Sequence, residues 1–236
     1  NGVSAAEASD GVQAQVTLPT GTVVGDTVTL TVTGPSGTHT LAYTVTANDV
    51  AANPATATVT IPTADLSANG QYADGSYTVS ATVTDAAGNQ SPSSVPTSFS
   101  LDTAAPSAPS NSATDNAGAN QGAMASNSTT DDTTPTFGGT AEPGSTITIY
   151  DNGTPIGTAT AGSDGSWRFT PTTPLADGAH SITTTATDTA GNEGPSSEAL
   201  IFTVDTQATA APSLAMAEAA SGINAQEASD GVQTQI

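Results

Sequence analysis

The chain has 236 residues, with 22 Asp and Glu against a single basic residue, Arg168, and its formal net charge is −21. Proteins that bind nucleic acids contact phosphates through clustered Lys and Arg, so this composition excludes that class and disfavours an anionic membrane surface. No apolar run reaches the roughly 18 residues of a membrane-spanning helix, and no signal peptide is present in the sequence. We therefore expect the targeting signal of the parent protein to lie elsewhere.

The acidic composition also predicts a need for cations. Self-repulsion among so many carboxylates destabilises a compact state unless counter-charges bind, and the chain supplies almost none of its own. The sequence has no cysteine and hence no disulfide framework, and a metal is the usual substitute. Calcium is the cation that we expect, because it takes roughly six to eight oxygen ligands from carboxylates, amides and carbonyls.

The first predicted element is a strand whose segment occurs twice. The segment GVSAAEASDGVQAQV (residues 2–16) returns as GINAQEASDGVQTQI (residues 222–236), identical at ten of fifteen positions and 220 residues further on. Such tandem self-similarity indicates a repeat architecture. We therefore predict one full repeat, followed by the first strand of the next, within a longer protein.

Alternation of apolar residues with Thr or Ser predicts the other strands. In chain order, this period-2 pattern occurs at residues 27–33, 57–61, 76–84, 145–150 and 181–187. It is typical of half-buried antiparallel strands, and helical periodicity is nowhere sustained. Strands that recur roughly every 8 to 12 residues between turns, in domains of about 100 residues, are typical of immunoglobulin-like sandwiches. The sequence predicts an all-β chain of two tandem immunoglobulin-like β-sandwich domains in a linear array.

A second periodicity sets the domain boundaries. Residues 73–79 (ADGSYTV) match 176–182 (ADGAHSI), and residues 84–94 (TDAAGNQSPSS) match 187–197 (TDTAGNEGPSS), both at an offset of 103. We therefore predict two homologous domains, the second with an extended leading segment rich in Asn, Ser, Gly and Ala. The predicted boundaries are 1–104 for domain 1, 105–207 for domain 2, and 208–236 for a linker with the first strand of the next repeat.

Domain 2 carries the strongest family resemblance. Its residues 130–192 read TDDTTPTFGGTAEPGSTITIYDNGTPIGTATAGSDGSWRFTPTTPLADGAHSITTTATDTAGN, which resembles the bacterial Ig-like repeats of giant biofilm-associated adhesins. Domain 1, with its EASDGV opening, is similar to a companion repeat of these adhesins, so the resemblance covers nearly the whole chain. Adhesins of this class are secreted by type I systems and often end in RTX sequences. The resemblance implies an extracellular stalk at the cell surface, with calcium at module junctions as in several such adhesins.

Strand order assigns the acidic residues to the two ends, or poles, of each predicted sandwich. We expect the first strand to run from the N-terminal (front) pole to the C-terminal (rear) pole, with later strands alternating in direction. The rear of domain 1 then faces the front of domain 2, where opposed carboxylates repel unless they share a divalent cation. The predicted calcium ligands are Asp26, Asp74 and Asp102 at the rear of domain 1; Asp115, Asp131, Asp132, Asp188 and Asn192, with Asp151 nearby, at the front of domain 2; Glu7, Asp10 and Asp85, with Asn89, at the front of domain 1; Glu142, Asp177 and Asp205 at the rear of domain 2; and Glu227 and Asp230 in the tail.

Turn chemistry is the alternative explanation for several of these carboxylates. Where Asp precedes Gly, as in Asp10-Gly11 and Asp74-Gly75, the Asp caps its own turn and the Gly supplies a positive φ. The sequence has no EF-hand loop, so the calcium signal is a constellation of acids at predicted domain ends. Metal is favoured over a turn where no such Gly follows: Asp102, Asp131, Asp132 and Asp205.

These features favour a structural function over a catalytic one. The sequence has no G-x-S-x-G, P-loop or H-E-x-x-H signature, and His39 and His180 lie far apart without Cys, which argues against zinc. We predict a spacer, or extender, segment of a bacterial adhesin that projects a distal adhesive tip for biofilm formation or surface attachment. The alternative is that the Ig-like domains are themselves a glycan- or protein-binding adhesion module. The predicted partners are neighbouring Ig-like repeats of the same chain.

The repeated segment at residues 222–236 is a lone strand with unpaired backbone groups. We expect it to be held by contacts of its own, and two arrangements are open. In one, it lies against the rear of domain 2 through Glu227 and Asp230. The alternative is that it takes the place of residues 2–16 in a neighbouring molecule, which would link chains head to tail by strand exchange.

Overall fold

The structure of the chain, a computed structural model, describes residues 3–66, 72–216 and 234–235. In domain 1, the elements in chain order are α1 (Ala5–Ala8), β1 (Val12–Thr17), β2 (Thr27–Gly34), β3 (Gly37–Thr44), α2 (Ala47–Ala51), β4 (Thr56–Ile61), α3 (Thr63–Leu66), β5 (Gly75–Thr84) and β6 (Thr97–Leu101). One sheet has the order β3-β2-β5-β6, and β1 pairs with β4 in the other. None of the described helices is long and apolar enough to cross a membrane.

Domain 2 repeats this plan with additional strands. Its elements are β7 (Ser112–Asp115), β8 (Gly122–Met124), β9 (Ser128–Thr130), β10 (Thr136–Thr140), β11 (Thr146–Asp151), β12 (Thr154–Thr160), β13 (Ser166–Phe169), β14 (Gly178–Thr187) and β15 (Leu200–Val204). The sheets have the orders β12-β11-β14-β15-β9 and β13-β10-β7-β8. Beyond domain 2, β16 (Ala215–Met216) pairs antiparallel with β17 (Thr234–Gln235). The predicted fold class, an all-β pair of tandem Ig-like sandwiches, is confirmed.

Burial follows the alternation that the sequence predicted. In β2, Val28, Leu30 and Val32 are buried, while the threonines between them are partly exposed. Aromatic rings complete each core: Tyr77 stacks on Phe99 in domain 1 with ring centroids 5.2 Å apart. In domain 2, Phe202 lies 6.2 Å from Phe137 between ring centroids. Four of the five predicted strand segments lie within an observed strand and the fifth begins one residue before β11, because period-2 alternation is set locally by the pleat.

The direction of β1 differs from the prediction. Val3 pairs in parallel with Leu101 at the end of β6, where its N–H donates to the Ser100 carbonyl at 2.6 Å and its own carbonyl accepts from the Asp102 N–H at 3.0 Å. Helix α1 follows at the same pole, so β1 begins at the rear of domain 1 and runs to the front. The prediction assumed that the first strand enters at the front.

Domain 2 shows the same reversal for β10. Strand β9 runs parallel to β15, and the Asp205 N–H donates to the Thr130 carbonyl at 2.9 Å, which repeats the contact between Asp102 and Val3. Strand β10 therefore also starts at the rear. Pole assignments that depended on the first strand were wrong. Asp26 and Glu142 lie at the front of their domains, Glu7 and Asp10 at the rear of domain 1, and Asp115, Asp131, Asp132 and Asp151 at the rear of domain 2.

Truncation of one core ring should destabilise domain 2. Phe202 is 1 % exposed, so Phe202→Ala should lower the free energy of unfolding by about 3–5 kcal/mol through lost burial and the cavity left behind. Its neighbour Ile201 is 44 % exposed, and Ile201→Ala should change stability by less than about 0.5 kcal/mol. Urea unfolding followed by the fluorescence of Trp167, the one tryptophan of the sequence, measures domain 2. Equal midpoints for the two variants would contradict the assigned core.

Candidate interdomain junction

A tight loop at the front of domain 2 follows β14. One oxygen of Asp188, Oδ1, accepts the N–H groups of Gly191 at 2.7 Å and Asn192 at 2.9 Å, and the Asp188 N–H donates to the Asn192 carbonyl at 3.1 Å. Gly191 has φ 105, which L side chains rarely adopt, so a glycine is required there. The closed loop fixes the Asn192 side chain at its end.

Asn192 joins the two domains through its amide. Its Nδ2 donates to the Asp102 carbonyl, at the end of β6, at 2.8 Å, and also to Asp188 Oδ2 at 2.8 Å. Its Oδ1 accepts the Ala5 N–H at 2.8 Å. The side chain thus uses both donors and one acceptor position, and Asn192 is 5 % exposed. We call the pair of main-chain groups on domain 1, the Ala5 N–H and the Asp102 carbonyl, the rear socket.

The sequence places the rear socket by capping and by pairing. Ser4 is the N-cap of α1, and its Oγ accepts the Glu7 N–H at 3.2 Å while Glu7 Oε2 accepts the Ser4 N–H at 3.0 Å, which is a capping box. Ala5 is the first helical residue, so its N–H has no partner within the helix and is available to Asn192. Because Val3 is bonded to the end of β6, this N–H lies beside the Asp102 carbonyl.

Domain 1 carries a matching loop at its own front. Asp85 Oδ1 accepts the Asn89 N–H at 2.8 Å, and Asn89 Nδ2 donates to Asp85 Oδ2 at 2.8 Å. Asn89 lies 103 residues before Asn192 within the same Thr-Asp-x-Ala-Gly-Asn sequence, but it is exposed. The loop geometry is therefore a property of the sequence motif, and the burial of Asn192 results from the contact with domain 1.

Comparison with known proteins agrees with this architecture. The model of the bacterial Ig-like domain family matches residues 61–103 and 107–206, more than half of the chain. The chain belongs to the bacterial Ig-like domain family. No curated protein sequence matches it.

Solved structures similar to this bacterial Ig-like chain include three bacterial adhesion proteins. A tetra-tandem repeat in the extending region of a large adhesion protein is 24 % identical over 84 % of this chain and 46 % of that one, with a TM-score of 0.34. A 1.5-MDa ice-binding adhesin is 20 % identical over 95 % of this chain and 66 % of that one, with a TM-score of 0.37. The BSP domain of a biofilm-associated protein is 25 % identical over 86 % of this chain and 28 % of that one, with a TM-score of 0.29. The chain thus spans less than two thirds of the length of the first of these.

Most of the predicted calcium ligands of these Ig-like domains accept hydrogen bonds from nearby backbone N–H groups. Asp74 accepts the Thr103 N–H at 3.0 Å, and its counterpart Asp177 accepts the Thr206 N–H at 3.1 Å. Asp132 bridges the N–H groups of Asn116 and Thr134 at 2.7 and 2.8 Å. The same kind of bond is made by Asp26, Asp85, Asp102, Asp115, Asp188 and Asp205. The bonds of Asp26, Asp85, Asp102, Asp115, Asp188 and Asp205 lie within local turns, whereas Asp74 and Asp177 each bond to a residue 29 positions away after the last strand of their domain.

At the junction the structure brings together Asn192, the Asp188 carboxylate and the main-chain carbonyl of Asp102, and it separates the other predicted ligands between the poles. Within residues 3–66, 72–216 and 234–235, no group of three or more His, Cys, Asp or Glu side chains is placed to hold a metal ion. The calcium assignments remain predictions. Glu227 and Asp230 lie outside the described residues, as does the predicted contact of the tail through them.

A histidine and a carboxylate that the sequence gives no reason to connect form a pair at the rear of domain 2. His180 Nδ1 lies 2.7 Å from Asp151 Oδ2, and His180 Nε2 lies 2.8 Å from the Ala176 carbonyl. Both ring nitrogens of His180 therefore lie within hydrogen-bonding distance of an oxygen. From the sequence, His180 suggested only a zinc ligand, because no spacing rule connects a histidine to a carboxylate 29 residues away.

Burial and hydrogen bonding shift the pKa of Asp188 in opposite directions. Burial raises the pKa of its carboxyl, but hydrogen bonds from the Asn192 side chain and from the N–H groups of Asn192 and Gly191 outweigh burial, so the pKa lies below its usual value. In the exposed loop of domain 1, the bond from the Asn89 side chain is the largest cause of a lowered pKa of Asp85. Both carboxylates are therefore ionised at neutral pH.

Removal of the Asn192 amide should loosen the junction. Asn192→Ala leaves the Ala5 N–H and the Asp102 carbonyl without their partner, which should cost about 1–3 kcal/mol of stability and widen the range of interdomain angles. Asn89→Ala is the matched control, because it removes the same bonds to its own Asp but touches no second domain. Small-angle scattering and urea unfolding of the two variants measure the difference. Identical scattering from both would show that the amide does not hold the domains.

Acid should weaken the loop of Asp188. Because the folded pKa is lowered, this carboxylate contributes stability that is present above the unfolded value of about 3.9 and is lost as the pH falls through the folded pKa. We expect the stability difference between the native chain and Asp188→Asn to be largest near pH 6 and to shrink below about pH 4. Urea midpoints at pH 6, 4 and 3 check this, and Asp85→Asn should show the same trend in domain 1, because hydrogen bonds from Asn89 also lower the pKa of Asp85. A difference that is constant with pH would contradict the assignment.

Proposed function

We propose that the chain is an extender segment of a bacterial cell-surface adhesin, a non-catalytic spacer that projects a distal adhesive tip for biofilm formation or surface attachment. The observation that carries this proposal is the junction, where Asn192 of one Ig-like domain is bonded into the rear socket of the domain before it. A fixed joint between duplicated domains lengthens the protein with each repeat and keeps successive domains pointing in the same direction. Duplication of a catalyst along one chain gains little by comparison.

Composition and resemblance support an extracellular setting for this spacer. Residues 130–192 resemble the repeats of giant biofilm-associated adhesins, a class secreted by type I systems and often ending in RTX sequences. A net charge of −21 keeps such a chain soluble and limits contact with anionic cell surfaces along its length. The spacer therefore leaves adhesion to another part of the parent protein.

The shape of the chain in solution tests the spacer function. An extender should give one narrow distribution of interdomain distances and a maximum dimension close to the sum of two domain lengths. Small-angle scattering of the full chain measures both. A broad distribution of interdomain angles would contradict the proposal, and binding of the chain to a glycan array would favour the alternative of an adhesion module.

Calcium stiffening is the second part of the proposal. It is supported by the net charge of −21 and by the meeting of the Asp188 carboxylate and the Asp102 main-chain carbonyl at the Asn192 amide, since both are oxygen donors of the kind that calcium takes. Carboxylates that now accept hydrogen bonds would supply oxygens after a small rearrangement of the loop.

Calcium should therefore raise the melting temperature of the chain. A ligand that binds only the folded state stabilises it by mass action, so the temperature should rise with calcium concentration and return to its starting value in EGTA. Magnesium at the same ionic strength is the control, because Mg²⁺ gives up its water ligands reluctantly. Equal melting temperatures in calcium and EGTA would remove calcium from the proposal and leave the hydrogen-bonded joint alone.

A further inference from the structure

The two domains differ at the outer edge of β1. In domain 2, β10 is paired on both sides, with β13 and with β7. Its counterpart β1 pairs within the described part of the chain with β4 alone. Beside the unpaired edge of β1 lies an open cleft of about 450 Å³, whose lining includes Val16, Leu30, Val79, Ser94 and Val95. Val95 is 90 % exposed, so this part of the cleft presents apolar surface to water.

The corresponding position in domain 2 is filled by the chain that leads into β7. Asn111 Nδ2 donates to the Ile182 carbonyl at 3.2 Å, to Ser197 Oγ at 2.9 Å and to the Glu198 carbonyl at 3.1 Å. Two residues later, Ala113 is 2 % exposed in the core. The three acceptor residues lie 103 positions after Val79, Ser94 and Val95, which line the cleft of domain 1. The cleft is therefore the site that Asn111 and β7 cover in domain 2.

The segment that leaves domain 2 has the sequence of such a strand. Ala211-Pro-Ser repeats Ala108-Pro-Ser, which leads into β7, at the same offset of 103. Leu214 then stands at the position of Asn111, and it is 70 % exposed. The counterpart of Glu198 in domain 1 is the exposed Val95, so the side chains at this point of the cleft are more apolar than in domain 2. An apolar residue fits the apolar cleft.

The pairing of β16 with β17 supplies the register. Ala215 lies opposite Gln235 and Met216 opposite Thr234. Gln235 and Thr234 stand 220 positions after Gln15 and Ala14 of β1. The chain itself thus pairs the segment that leaves domain 2 with a second copy of β1.

The same register occurs between β7 and β10. Strands β1 and β10 can be aligned by an equivalent backbone bond just after each strand. In domain 1 the Leu18 N–H donates to the Ala55 carbonyl, and in domain 2 the Ala141 N–H donates to the Gly165 carbonyl. With Leu18 aligned to Ala141, Gln15 corresponds to Gly138. Gly138 lies opposite Ser112, which is 103 positions before Ala215. Sequence offset, pairing register and surface chemistry therefore agree on one arrangement.

We propose that the outer edge of β1 is a strand-acceptor site, and that residues 211–216 of another copy of the repeat dock there antiparallel, with Ala215 opposite Gln15. Added strands gain main-chain hydrogen bonds along the edge and specificity from alternate side chains. In a tandem array, the segment that leaves domain 2 then becomes the first strand of the following domain, so that successive repeats interlock. This arrangement deepens the proposed spacer function but does not depend on where the protein is located.

The test adds the donor segment to the full chain. Residues 206–220 are fused ahead of Asn1, which stands where Ser221 stands at the offset of 220. Hydrogen exchange measured by mass spectrometry should slow at least tenfold in residues 12–17, because the outer edge of β1 becomes paired. The matched control carries Ala215→Pro and Met216→Pro in the added segment, since proline cannot donate to a ladder. Exchange in residues 12–17 that is unchanged, or slowed equally by the proline control, overturns the proposal.

A cross-link tests the register independently. The sequence has no cysteine, so Gln15→Cys combined with Ala215→Cys in the added segment introduces a single pair. Residues directly opposite in an antiparallel pair lie within disulfide range, whereas Gln13→Cys with the same partner is a diagonal pair and too distant. We expect at least fivefold more disulfide at position 15 than at 13, and the reverse order overturns the proposed register. Neither readout measures interdomain shape, so these outcomes are separate from those of the extender proposal.

Discussion

The backbone pairing of Val3 with the end of β6 decides where every loop at the start of domain 1 lies. It ties the beginning of the domain to the rear pole, so α1 is there and β1 must run forward. As a result the free N–H of Ala5 stands beside the carbonyl of Asp102, and both can be reached by one amide from domain 2. Without this long-range pair, the rear of domain 1 would offer a single carbonyl and no matching donor.

Hydrogen bonding to the main chain is how this acidic molecule accommodates its carboxylates. With a single basic residue in the sequence, ion pairing is not available to most of them. Asp188 and Asp85 instead accept backbone N–H groups in tight loops, which holds their pKa values low and fixes the loops at the same time. Charge-assisted bonds of this kind are stronger than neutral ones. The acids thus shape the poles on which the junction depends.

The sequence predicted what is local and missed what is set at long range. Strands such as β2 and β5 were predicted from their alternation, because the side-chain period of a strand is visible within a few residues. The loop at Asp188 and Asn192 was found through its repetition at Asp85 and Asn89. The direction of β1 was predicted wrongly, because it is set by a pairing between Val3 and Leu101 that has no local signature. The partners of Asn192 were also not predictable, since they are main-chain groups and carry no residue type.

Because Asn192 binds main-chain groups, the junction places few demands on the sequence of domain 1. The rear socket consists of a helix N–H and a strand-end carbonyl, which any residue at positions 5 and 102, other than proline at 5, would supply. Substitutions can therefore accumulate on the domain 1 side of the joint without loss of the bond, as long as the partner domain keeps its asparagine. Domains whose sequences have drifted far apart would still fit together, and recombination between repeats would yield working joints.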